Sequence, residues 1–121
     1  MSKRLLGVGT VLLGLGLLAL GAQTLLMPEL AAAGFGVPVE NPVYLTAAGM
    51  RDVALGAMAL GLLKWHSPAL RVFLPALLFV PLSDVALVLV HGTSVSGTLL
   101  HALGAVYIAG LGGLAFRVER A

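Results

Sequence analysis

The chain has 121 residues, of which 60% are hydrophobic and only 10% charged, too few polar side chains to cover a soluble domain of this size. A formal net charge of +2, small and dispersed, excludes nucleic acid as a partner. The absence of cysteine excludes disulfides, thiol nucleophiles and thiolate metal sites within the chain.

The apolar residues fall in runs of roughly 20, the length at which a helix crosses about 30 Å of hydrocarbon. The first run goes from Leu5 to Met27 and stops at Pro28. Ala19-Leu20-Gly21, behind the basic pair Lys3-Arg4, has the form of a leader-cleavage site. The run is longer than a leader core and continues through Leu25-Leu26-Met27, so it is read as a span. Pro28 to Gly34 follows, with proline in its first turn and glycine at its end, the pattern of a short helix lying at the interface. Gly34-Phe35-Gly36-Val37-Pro38 reads as a turn back toward the next span.

The second run covers about 43–63, after Asn41-Pro42 and before Lys64. The third covers about 70–90, between Ser67-Pro68 and His91-Gly92, with Pro75 and Pro81 expected to kink it. The fourth runs from about 97 to 116 and is closed by Arg117. Strict alternation of polar and apolar residues is absent, so a β-barrel fails. The expectation is a single all-α transmembrane domain over residues 1–121, an integral membrane four-helix bundle with up-down-up-down topology. Lys3, Arg4, Lys64, Arg71, Arg117 and Arg120 all fall on one side of that arrangement, while the first loop carries only Glu29 and Glu40. Basic residues mark the cytoplasmic side. Both termini are therefore expected to be cytoplasmic, in a multi-pass protein of the cell membrane or inner membrane.

Charged residues inside a span cost on the order of 3 kcal/mol each on insertion scales and call for a reason. The second span carries Arg51 and Asp52, the third Asp84 beside Ser83, the fourth His101 near Thr98, and the first Gln23 and Thr24. Arg51 lies roughly 12 Å from the outer end of its helix, Asp84 about 9 Å, and His101 and Gln23 each roughly 6 Å. Four helices thus bring polar groups to the same outer third of the bilayer. Adjacent helical residues point about 100° apart, so Arg51 and Asp52 are expected to diverge. Arg51 is paired with Asp84 in a bidentate contact, which leaves Asp52 for His101 or water. Gly97, His101, Ala105, Ala109 and Gly113 recur at every fourth position, a small-residue ridge that turns His101 inward. Tyr107 lies on another face, with no partner evident for its hydroxyl. Trp65 and Tyr44 suit the aromatic belts at the two ends of the second span.

Gly34-Phe35-Gly36-Val37-Pro38, then Tyr44-Leu45, Gly49-Met50-Arg51-Asp52 and Gly56, resemble an uncharacterised family of small four-helix membrane proteins, domain of unknown function 4267, similar in layout to the DoxX-like superfamily. The resemblance covers nearly the whole chain. It implies a polar site at Arg51, Asp52, Asp84 and His101, and it implies no particular reaction.

Three functions compete. A membrane-embedded enzyme would use Asp52, Asp84 and His101 as acid–base groups on a lipophilic small molecule, with Arg51, Gln23 and Tyr44 binding it. A non-catalytic subunit or assembly module would keep Arg51–Asp84 as a structural staple. A binding or proton-handling protein would take a hydrophobic ligand. No metal and no cofactor is expected, since haem would want histidines deep in the helices and His101 alone lies within a span. The lipid bilayer is the expected surrounding, and a homo-oligomer is left open.

Overall fold

The computed structural model describes residues 1–36, 42–66, 68–92 and 95–120. Among these every regular element is helical: α1 Ser2–Leu26, α2 Pro28–Phe35, α3 Pro42–Lys64, α4 Leu70–Leu77, α5 Phe79–His91 and α6 Val95–Arg120. The segments 2–26, 43–64, 70–91 and 95–118 are each long and apolar enough to cross a membrane. Only 22–28% of the most apolar stretch of each is buried within the chain. The rest, including Leu12, Leu20, Leu89, Leu100 and Val106, is exposed, a surface that requires an apolar medium.

Glycine decides the closest helix contact. A Cβ placed at Gly21 of α1 would stand 2.7 Å from the carbonyl of Gly49 on α3, and one at Gly56 would stand 2.7 Å from the carbonyl of Gly14. No side chain fits in that space, so α1 and α3 meet backbone to backbone, with numbers rising along one as they fall along the other. Gly49 and Gly56 thus lie on the face of α3 that meets α1.

The third apolar run is two helices. Pro81 has no N–H to offer the carbonyl of Leu77, and the Pro75 ring crowds the preceding turn. The chain tightens at Leu78, whose N–H bonds back to Pro75 O at 3.2 Å, before α5 resumes. The expected kink is therefore a break, six residues before Asp84. The interfacial helix also differs from expectation. Proline does occupy its first turn, but it continues through Gly34 and Phe35 and ends at Gly36, in the left-handed conformation with φ 85°. Val37, Pro38 and Glu40, read above as turn and loop, lie outside the described residues, as does Ser67.

Packing is uneven along the molecule. Leu13, Leu70, Leu74, Leu77, Ile108, Leu111 and Ala115 form one buried apolar cluster, toward the end of the molecule where α1 and α4 begin and α6 finishes. Near the other end, where the ionisable side chains lie, the helices enclose a cavity. The ridge on α6 corrects itself by geometry. Steps of four residues advance 400°, a drift of about 40° per step. Gly97 and Ala105 are buried, whereas Ala109 and Gly113 have rotated outward and are exposed; Ile108, Leu111, Gly112 and Ala115 carry the contact instead.

Candidate functional site

Asp84, on α5, is 4% exposed, the most deeply buried ionisable side chain described. Two basic groups approach the same oxygen: Arg51 Nη2 at 3.6 Å and His101 Nδ1 at 3.7 Å from Oδ2. Both distances are those of ion pairs, longer than a direct hydrogen bond. α3, α5 and α6 therefore converge on one carboxylate.

The guanidinium is split between two carboxylates. Arg51 Nε donates to Oδ1 of Asp52 at 3.0 Å, while Nη2 faces Asp84. This corrects one expectation: the Arg51–Asp84 pair exists but is not a bidentate fork. Asp52 takes its hydrogen bond from its own helix neighbour, and His101 also acts on it electrostatically. The backbone directions of Arg51 and Asp52 do diverge, but the arginine side chain is long enough to bend back across the difference.

His101 is held from its far side by α2. Its Nε2 lies 3.3 Å from the carbonyl oxygen of Phe35, and the two rings meet edge to face with centroids 4.7 Å apart. A carbonyl oxygen only accepts, so Nε2 is the nitrogen that carries a proton. Nδ1 then faces a carboxylate oxygen, a favourable arrangement only when one proton resides between them, on the ring or on the carboxyl. With that proton the four side chains carry no net charge, Arg51 offsetting Asp52 and the shared proton offsetting Asp84.

The cluster opens onto a cavity of about 600 Å³, within the range of small-molecule sites. Leu12, Gly16, Leu20, Gln23 and Thr24 of α1 form one wall. Leu30, Ala33 and Phe35 of α2 close the end beside the charges. Val80 and Pro81 of α5 and Leu100, Gly104 and Ile108 of α6 supply the rest. The lining is apolar except near Arg51, Asp52, Asp84, His101, Gln23, Thr24 and Tyr107. The Thr24 hydroxyl donates to Leu20 O within its own helix at 2.8 Å.

Tyr107 forms the floor. Its hydroxyl donates to the carbonyl of Gly9 at 2.9 Å, tying α6 to α1 at the level where a glycine permits close approach. Above that tie the side chains of Leu12 and Leu20 on α1 and Leu100 on α6 both line the cavity and are exposed. A Cβ at Gly16 would meet nothing within 4 Å. The cavity thus opens sideways between these two helices.

Of the residues expected at the site, Arg51, Asp52, Asp84 and His101 come together and Gln23 lines the same cavity. Tyr44 is 48% exposed in the first turns of α3 and is absent from the lining. Phe35 and Tyr107 were not anticipated there. Phe35 contributes its ring and also a main-chain carbonyl, which no residue-type pattern encodes. Tyr107 needed a partner 98 positions away, a carbonyl on α1. The flag for it was a phenol within an apolar span with no polar neighbour in sequence.

No curated protein and no solved structure matches the chain. A family match runs over residues 14–115, taking in Arg51, Asp52, Asp84, His101 and most of the cavity wall; the chain belongs to the family described as Domain of unknown function (DUF4267).

Proposed function

We propose that the protein sits in the cell membrane, binds a lipophilic small molecule in the cavity and acts on it by acid–base chemistry. Successive spans alternate in direction, both termini are cytoplasmic, and the charged end of the cavity lies toward the outer face. The DoxX-like layout suggested by the motif order is part of this reading. The observation that supports it most directly is Oδ2 of Asp84, within 4 Å of both Arg51 and His101 at the head of an apolar cavity.

In a low-dielectric site such groups are effective proton donors and acceptors. The proton held between Asp84 and His101 is delivered to an oxygen of the ligand, and Asp52 removes one from an adjacent carbon or hydroxyl. Arg51 stabilises negative charge as it develops. One proton in and one proton out restores the cluster through a return transfer, so isomerisation or ring closure needs no further reactant.

The test is to purify the protein in lipid nanodiscs, identify what it retains by native mass spectrometry, and follow conversion of that molecule. Asp84→Asn and Asp52→Asn are expected to keep the ligand and lose conversion. Conversion at the native rate in both variants overturns the proposal.

A second reading has its own support, because the Arg51–Asp84 pair joins α3 to α5 and could serve assembly alone as a staple. It expects stability, and no conversion, to track the charges.

A further inference from the structure

The charge balance of the cluster points to what kind of head group the cavity takes. Arg51 directs Nε at Asp52 and Nη2 at Asp84, and His101 directs Nδ1 at Asp84 and Nε2 at the Phe35 carbonyl. Each basic side chain already faces a carboxylate and each carboxylate a basic side chain. A ligand bearing a full charge would leave one unit unbalanced in a site walled by leucine, valine and alanine, where uncompensated charge is costly.

The cluster also presents its members unequally. The side chain of Arg51 is 33% exposed, that of His101 18% and that of Asp52 15%, against 6% for Asp84. The groups within reach of an arriving head thus include a donor fork and a carboxylate held 3.0 Å apart. A hydroxyl fits both, accepting from the guanidinium and donating to the carboxylate. The apolar part of the cavity extends along α1 from Thr24 to Leu12, about 18 Å at 1.5 Å per residue, and opens sideways between α1 and α6 toward the surrounding lipid.

We infer that the ligand is an uncharged long-chain lipid with a hydroxyl or similar donor–acceptor head, reaching the site laterally between α1 and α6. The head lies at Arg51 and Asp52 and the chain runs toward Tyr107. This inference rests on the proposed lipophilic ligand and names its class.

The test uses three probes sharing one hexadecyl chain with a photoreactive diazirine, and differing only in the head: hydroxyl, sulfate or trimethylammonium. Each is added to the protein in nanodiscs at equal membrane concentration, illuminated, and the labelled residues are mapped by mass spectrometry. The alcohol is expected to label residues between Leu12 and Leu20 and between Leu100 and Tyr107 about tenfold more than either ion, a difference of about 1.4 kcal/mol. Asp52→Asn removes the anion that offsets Arg51 and should raise sulfate labelling relative to the alcohol. Arg51→Gln should raise trimethylammonium labelling in the same way. If either ion labels the native cavity as strongly as the alcohol, the head-group inference fails while the lipophilic-ligand reading survives. If no probe labels the cavity, both fall.

Discussion

Arg51 on α3 holds Nη2 3.6 Å from Oδ2 of Asp84 on α5, and the same guanidinium donates to Asp52 one residue along its own helix. Removing either end has unequal consequences. Arg51→Gln leaves two carboxylates with His101 as the basic side chain beside them among the described residues, and removing one partner of a buried pair costs about 3 kcal/mol. Asp84→Asn leaves Arg51 still paired with Asp52 and should cost less. Thermal unfolding in detergent reads the difference. The exchanged pair Arg51→Asp with Asp84→Arg separates the two functional readings. If the pair is a staple, the exchange recovers stability and nothing further is lost. If it is a site, stability returns and ligand conversion does not.

The α1–α3 contact predicts a sharp contrast among glycines. Gly21→Leu would drive its side chain into the Gly49 carbonyl and Val53, and overpacking of this kind costs about 2 kcal/mol. Gly7 has open space around it, so Gly7→Ala should be neutral or slightly stabilising, because alanine is the better helix former by about 1 kcal/mol. Equal behaviour of the two variants in an unfolding assay would contradict the backbone-to-backbone packing.

Loss of the floor should be mild for stability. Tyr107→Phe removes one interhelical hydrogen bond, and such bonds in membrane proteins average about 0.6 kcal/mol. The Gly9 carbonyl keeps its place in α1. The larger expected change is in the cavity, whose lower end is no longer tied between α1 and α6. Chain-length preference of a bound lipid, measured by competition, should broaden toward longer chains in this variant and stay unchanged in Tyr44→Phe.

The proposed orientation can be checked directly, since the chain has no cysteine to confuse labelling. Glu29→Cys at the start of α2 should react with a membrane-impermeant maleimide on intact cells. Lys3→Cys and Lys64→Cys should react only after the membrane is opened. Reaction of Lys3→Cys from outside would reverse the topology.

The helices were legible because their signal is bulk composition. Runs of leucine, valine, alanine and glycine bounded by Pro28, Lys64, Pro68 and Arg117 mark segments that the structure forms within a few residues. The convergence of Arg51, Asp84 and His101 was also legible, because matching depth on separate helices is a one-dimensional measurement along each. Partner choice was not. Whether Arg51 turns to Asp52 or gives its whole fork to Asp84 depends on side-chain torsions that spacing does not encode. The same holds for the carbonyl oxygen that Phe35 turns to His101. The α6 ridge failed for a simpler reason, since a fixed step of four drifts off a face that turns every 3.6 residues.

The glycine contacts between α1 and α3 have a mechanical consequence. With the glycine backbones at closest approach and Leu60, Val53, Leu25 and Leu18 seated against Gly14, Gly21, Gly49 and Gly56, this contact has little free space to compress, so these two helices are expected to move as one plate. That plate carries Arg51, Asp52, Gln23 and one cavity wall. On the proposed reading, accommodation of a ligand of different girth then falls to the opposite wall, α5 and α6, and to the tightened turn at Leu78 between α4 and α5. One side of the proposed site is the stiffer template, and the side expected to yield bears Asp84 and His101.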